Sequence, residues 1–217
     1  MKNTINQLIR HLIAITLLGS GCLLSGCVNL TAPKAATDFK TINQTQRAQM
    51  LSQVKQWDIQ GAFSITSPTQ TQIANYTWQL NGQRHFTITL ASSLNLYQAV
   101  IKRQGVQIEL IKNNDQPVSA NSVSALMQNN LGFALPISNL YYWIRGLAAP
   151  GKKQATYNDV GLLTRLQQDG WTIDFIDYTH VGKLDLPQMI KLNGHNLAVK
   201  LVIKRWQLPQ TTPESTA

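Results

Sequence analysis

A chain of 217 residues with 19 Lys and Arg against 10 Asp and Glu carries a formal charge of +9. That length buries one sizeable core and not two. The only cysteines are Cys22 and Cys27, so the body of the chain has no thiol for catalysis, metal binding or a disulfide.

Residues 1–26 have the three zones of a secretory signal: a basic start with Lys2 and Arg10, an apolar stretch from Leu12 to Leu24, and the small residues Ser25 and Gly26. The stretch is too short for a comfortable membrane span. Leu24-Ser25-Gly26-Cys27 resembles the bacterial lipobox, in which the cysteine thiol receives diacylglycerol and its freed amine a further acyl chain. Cys27 is therefore the expected lipidation site, while Cys22, with Gly19 where the lipobox prefers Leu, fills the apolar stretch. Val28 and Asn29, with no aspartate next to the cysteine, fit the pattern of lipoproteins released to an outer membrane. Cleavage leaves 191 residues and a charge of +7, because Lys2 and Arg10 depart. Such a balance suits anionic headgroups or solubility alone. Nucleic acid is not expected as a partner, since export removes the chain from it and no binding motif accompanies the charge.

Residues 27–40 read as a lipidated flexible tether. A coil of about 13 residues has an r.m.s. reach of roughly 20 Å. A polar helix is predicted from Thr41 to Gln56. Period-two alternation then dominates. It runs through Trp57, Ile59, Phe63 and Ile65, where Gly61 suggests a bend or bulge, then Ala74 to Leu80, Phe86 to Leu90, and Val106, Ile108 and Leu110. Turn signals at Asn81-Gly82, Asn113-Asn114, Asp169-Gly170 and Asn193-Gly194 predict antiparallel hairpins. Two helices interrupt the strands. One carries Val123, Leu126, Met127 and Leu131 behind Asn121 or Ser122 as cap; the other carries Leu140, Trp143, Ile144 and Leu147, with Ser138 at its start and Gly146 near its end. They either cover the mouth of the sheet or plug its core. Alternation resumes at Trp171, Ile173 and Phe175 and at Leu197 to Ile203, and residues 209–217 form a polar tail expected to be disordered. One apolar face per strand implies a barrel or strongly curved sheet.

No nucleophile elbow, phosphate-cradling glycine loop or zinc spacing is present, so no catalytic residue, metal or cofactor is expected. His85, His180 and His195 read as isolated surface residues. Asp174 and Asp177, three apart on a strand, are expected on opposite faces and form no acid and base dyad.

Several stretches together resemble the outer-membrane lipoprotein receptor family LolB. They are Trp57 to Phe63, Tyr76-Thr77-Trp78-Gln79, Gly132 to Ile137 leading into Leu140, Trp143-Ile144-Arg145-Gly146-Leu147, Gln168 to Trp171, Tyr178, Leu186-Pro187, and Lys200 to Trp206. The resemblance implies a mainly antiparallel, half-open (incomplete) β-barrel over residues 41–208, with an N-terminal helix and lid helices above an apolar cavity. It also implies a monomer that accepts triacylated lipoprotein clients from the periplasmic carrier LolA and inserts them into outer-membrane lipid. The expected cavity walls are Phe63, Tyr76, Trp78, Phe86, Ile88 and Trp171 on the strands, with Leu126, Met127, Trp143 and Ile144 from the lid; for each, service in the core alone is an equal reading. In the family a leucine on a loop after the third strand places the client in the bilayer. It carries over to Leu94 in Ser92-Ser93-Leu94-Asn95, although Ser93 and Asn95 depart from the family's proline and glycine. Packing of Leu94 into the next strand is the alternative. Arg145 is expected to cap the lid helix, and Lys102-Arg103, Lys152-Lys153 and Lys200 with Lys204 are candidate carrier contacts. The competing reading is another envelope lipoprotein that binds lipid or glycolipid, or scaffolds an assembly, without transfer.

Overall fold

The alternation read from the sequence becomes one open sheet. In the computed structural model, which describes residues 39–92 and 96–209, helix α1 (Gln44–Ser52) precedes strands β1 (Gln56–Thr66), β2 (Thr71–Asn81), β3 (His85–Ala91), β4 (Gln98–Gln104), β5 (Gln107–Lys112) and β6 (Val118–Ser119). Helices α2 (Val123–Leu131) and α3 (Ile137–Trp143) follow, then β7 (Gln154–Tyr157), β8 (Leu163–Gln168), β9 (Trp171–Val181), β10 (Leu184–Gly194) and β11 (Leu197–Gln207). The signal segment, Cys27, most of the tether, Leu94 and residues 210–217 lie outside the described residues.

The 11 strands run in the order β6-β5-β4-β3-β2-β1-β11-β10-β9-β8-β7, all antiparallel, with the first and last long strands joined at the centre. The sheet does not close into a barrel. Its edges, β6 and β7, are two and four residues long, which limits the backbone offered to a foreign strand. Gly61 sits at a register shift between β1 and β11. A side chain there would run into the Val202 carbonyl oxygen and the Tyr76 ring, so only glycine lets the two strands meet at this bulge.

Strand β1 buries every second residue, Trp57, Ile59, Gly61, Phe63 and Ile65, and β3 does the same with Phe86, Ile88 and Leu90, whereas β10 buries Asp185, Leu186 and Pro187 in a row. These faces and the helices form one apolar cluster, and the sheet supplies the shell around α2 and α3.

Several local expectations shift. Helix α1 is shorter than Thr41–Gln56 and is capped by Asn43, whose side chain accepts from the Thr45 N–H. Ser122 caps α2 as one of the two expected residues, with Gly132 left-handed at its end. Ser138 does not cap α3; the helix begins one residue earlier, after Pro136, without a side-chain cap. Val106 is not a core residue: it occupies the β4–β5 turn beside left-handed Gly105 and is 89% exposed. The turn assigned to Asn193-Gly194 falls at His195-Asn196, both with positive φ, because Asn193 and Gly194 still pair with Ala198 and Leu197. A bulge in β9 at Ile176 sets Asp177 opposite Met189, on the same outer face as Asp174 opposite Lys191. The strict two-residue period assumed for that pair is broken by one extra residue.

Candidate functional site

The aromatic side chains that alternate into the sheet gather on its concave face. Trp57 lies edge-on to Trp78 at 5.5 Å and stacks on Tyr141 of α3 at 5.4 Å, while Phe63 meets Phe133, between the two inner helices, at 6.4 Å. All ten residues expected to line an acyl cavity are in this cluster: Phe63, Tyr76, Trp78, Phe86, Ile88 and Trp171 from strands, Leu126 and Met127 from α2, and Trp143 and Ile144 at the end of α3. Each is less than 9% exposed. The structure therefore brings them together as a packed interior with the helices seated in it. Ile59, Ile101, Leu110 and Phe133 belong to the same wall. The sequence carried the signal for the first three in its alternation; Phe133 follows the helix-ending Gly132 in a segment without a period.

Open space remains at one end. A cleft of about 190 Å³ is lined by Phe63, Ala74, Leu90, Tyr97, Leu131 and Phe133, among others, beside the C-terminus of α2. Larger grooves of about 620 and 710 Å³ lie on the outer surface, beside Lys102 and Arg103 and beside Lys152 and Lys153. The first also touches the core residues Trp57, Leu80 and Phe86, and the second is lined mainly by polar side chains; the smaller cleft is the one that borders the end of α2 through Asn130 and Leu131. Leu96 and Tyr97, which border the undescribed position of Leu94, are 80% and 38% exposed.

At the opposite end the helices are fastened by polar bonds. Arg145, 1% exposed, donates through Nε to the Tyr141 carbonyl at 2.9 Å and through Nη1 to the carbonyls of Leu51 and Val54 at 3.3 and 2.7 Å. The expected cap on α3 is thus present, and the same guanidinium also closes the end of α1. Its plane lies over the Tyr141 ring at 4.1 Å. Burial pushes the Arg145 pKa down, opposed by Tyr141 and Tyr142. Nothing in the sequence spacing signals this link, which spans 91 residues to Val54. Gln168 adds a second fastening, accepting from the Trp143 indole at 3.0 Å and from the Ala149 N–H while donating to the Ala149 carbonyl. The Tyr178 hydroxyl donates to the Leu163 carbonyl at 2.6 Å, beside left-handed Gly146, where an added Cβ would press on the same hydroxyl.

Helix α2 has no comparable fastening among the described residues. Its polar ties to the rest of the chain are Gln72 Nε2 to the Leu131 carbonyl and Ser124 Oγ to the Leu135 carbonyl, both 3.4 Å and therefore weak. Its hold on the sheet is apolar, through Val123, Leu126 and Met127.

Outside the core, Arg47 pairs with the buried Asp185 and donates to the carbonyls of Lys40 and Val160, tying α1 to β10. His180, expected to stand alone, has its Nδ1 2.6 Å from the second oxygen of Asp185. That pairing forms across the β9–β10 hairpin, where His180 and Asp185 are register partners. Among the described residues no group of three or more His, Cys, Asp or Glu gathers as a metal site. No helix described is long and apolar enough to cross a membrane.

With this geometry in view, the likeness to known proteins is specific. The profile of the family described as "Outer membrane lipoprotein LolB" matches residues 55–206. The outer-membrane lipoprotein LolB of Coxiella burnetii strain RSA 493 is 44% identical over 200 residues, 92% of this chain and 94% of the relative. That of Pseudomonas syringae pv. syringae is 33% identical over 92% of this chain and 96% of the relative. Among solved structures, a LolA-superfamily protein from Nitrosomonas europaea aligns with a TM-score of 0.48 at 8% identity, over 77% of this chain and 94% of that one.

Proposed function

The chain belongs to the LolB family of outer-membrane lipoproteins, and we propose that it takes triacylated lipoproteins from the periplasmic carrier LolA into the space between its sheet and α2, then releases them into the outer membrane. On this reading residues 1–26 are removed, Cys27 carries the lipid, residues 27–40 are the tether, 41–208 handle the client, and 209–217 form a tail. No catalytic step is involved.

The observation that carries the reading is the uneven hold on the two inner helices, above an interior lined with Trp, Phe, Leu and Ile. Three acyl chains contain roughly 45 methylene-sized groups, and at about 0.8 kcal/mol each their exposure to water would cost tens of kcal/mol. A client must therefore stay covered throughout. The 190 Å³ cleft holds about six water-sized groups at ~30 Å³ each, far fewer than one acyl chain. Loading thus requires α2 to lift from the sheet. Exposing Val123, Leu126 and Met127 costs roughly 1.5–3 kcal/mol per side chain, which an entering chain offsets by covering the same walls. Mobile hydrocarbon suits such walls because dispersion contacts tolerate many chain conformations. Transfer toward this protein needs only a modestly better apolar fit than the carrier offers.

Leu94 is assigned the delivery step. The exposed Leu96 and Tyr97 next to it support an apolar segment that faces the bilayer at the same end as the cleft.

To test acceptance, the Cys27→Ala protein, produced without its signal, is mixed with LolA loaded with a labelled triacylated lipoprotein. Label moving onto this protein is expected; label remaining on LolA, with both proteins folded, would favour a lipid-binding role without transfer. To test delivery, Leu94→Glu should leave acceptance intact and weaken insertion into vesicles. Equal loss of both steps counts against a separate insertion role.

A further inference from the structure

The outer face of the sheet has a charge arrangement that folding does not require. Lys191 on β10 and Lys200 on β11 are direct register partners, and both are exposed. Like charges placed opposite each other on one face destabilise a sheet. Lys204 and Arg205 follow on β11 at the bulge, also exposed, bordering an open groove of about 400 Å³ with Gln60, Thr77 and Thr89. The carboxylates on the outer face of the flanking strands are Asp58 on β1, which accepts from Gln79 at 3.2 Å, and Asp174 and Asp177 on β9; Asp174, the register partner of Lys191 on its other side, is taken by Arg165 at 2.6 Å. Among the described residues no carboxylate lies within 4 Å of Lys191, Lys200, Lys204 or Arg205. The apolar residues Ile73 and Ile176, 65% and 51% exposed, flank the same face.

The chain outside the described residues restricts how this face can meet a membrane. Phe39 packs on His180 at 4.8 Å and on Tyr178 at 6.3 Å, beside the β9–β10 hairpin. Phe39 lies twelve positions after Cys27, a link of about 43 Å at full extension and roughly 19 Å r.m.s.. Asp177, Met189, Val202, Ala62, Asn75, Ala91 and Gln98 share one register row across the sheet, so Tyr178, against Phe39, and Leu96 lie close to that row on either side of it. Laid on the β10–β11 face, the sheet brings Phe39 close to the headgroups with a relaxed tether.

We propose that the outer face of β10 and β11, with Lys191, Lys200, Lys204 and Arg205, docks on the phosphates of anionic phospholipid headgroups in the membrane that holds the anchor, so that the protein lies on its side. The proposal rests on the reading of Cys27 as the anchor. Flat docking relieves the Lys191–Lys200 repulsion with a shared counter-charge, and it keeps the concave face accessible to a carrier.

The test uses the mature lipidated protein, in which Cys27 is acylated and no other cysteine remains. A fluorophore is placed at Ser64→Cys, the register partner of Lys200, or at Gln107→Cys on distant β5, in vesicles whose headgroups carry a quencher. With phosphatidylglycerol present, quenching is expected at Ser64 and not at Gln107, and it should vanish in pure phosphatidylcholine or high salt. Each basic residue near the surface contributes a factor of about five, so Lys191→Gln with Lys200→Gln should lower the docked-to-undocked ratio about 25-fold. The pair of changes removes the Lys191–Lys200 repulsion and also the cross-strand partner of Asp174, so the thermal transition of the variant is measured alongside to confirm that it folds. Quenching that is equal at both sites or indifferent to lipid charge, in protein that still sediments with vesicles, overturns the proposal while leaving the anchor intact. Failure to sediment with either vesicle removes the anchor and the proposal with it. Charge-dependent shielding of Ser64 that requires LolA instead of phosphatidylglycerol would assign the face to a protein partner and overturn it as well.

Discussion

The two ends of the interior are built differently. Around Arg145, helices α1 and α3 are joined through three backbone carbonyls and locked to β8 through Gln168, whereas α2 lies on the sheet through apolar side chains and two long hydrogen bonds. Directional bonds fail abruptly when partners separate, while apolar contact is exchangeable for any other hydrocarbon. The contrast teaches that only one of the two inner helices is suited to act as a cover, and that α3 is part of the frame.

The strongest way to break this picture is Arg145→Ala. Three buried carbonyls would lose a charged donor, and the expected cost is about 4 kcal/mol or more, read from denaturant melts. Arg145→Lys should rescue little, since an ammonium lacks the planar fork that reaches two helices. A loss near 1 kcal/mol would mean that apolar packing alone holds α3.

Alkaline titration comes next. Burial raises the pKa of the Tyr76 and Tyr178 hydroxyls from the usual value of 10.0. The folded state therefore holds protons that the unfolded chain releases, so their contribution is complete below pH 10 and is lost as pH rises above it. Two such groups give a slope of about 2.7 kcal/mol per pH unit. Tyr178→Phe, at the fastened end, and Tyr76→Phe, on the strand wall, should each remove half of that slope; an unchanged slope in either variant would show that the hydroxyl opens to solvent.

Leu126→Ala sharpens the comparison at α2. A rigid core site would lose about 2–5 kcal/mol, and a cover able to settle into the gap should fall near the low end. Hydrogen exchange offers the matching local measurement: α2 amides should open at lower free energy than those of α3 or β1. Equal protection of α2 and α3 would sink the distinction between cover and frame.

The smallest effect is expected for Gln72→Ala, under about 1 kcal/mol in global stability because its bond to Leu131 is long. The same change should speed exchange in the last turn of α2 specifically.

Much of this was legible in the chain. Alternation from Trp57 to Ile65 and from Leu197 to Ile203 placed the core faces correctly because a strand's period is a local property. The buried strand residues followed from it, and the turns at Asn113-Asn114 and Asp169-Gly170 followed from residues that accept the positive φ found there. Strand β10 was not legible: Pro187 and two register shifts interrupt its pattern. Val106 was misplaced because an apolar residue in a tight turn looks like the start of the strand that follows it.

The sequence by itself determined the antiparallel strand pattern and the apolar character of the interior, and it carries the expectation of an export signal and a lipidated Cys27, since each is written in local composition or spacing. Only the tertiary structure decided that the sheet stays open and that Arg145 closes two helix ends. It also decided that α2 is held loosely and that Lys191 faces Lys200. The links of Arg145 and the open edges of the sheet depend on contacts between segments tens of residues apart, and the Lys191–Lys200 pairing depends on where the β10–β11 turn falls; no local period encodes which carbonyl or charge will arrive beside a given side chain.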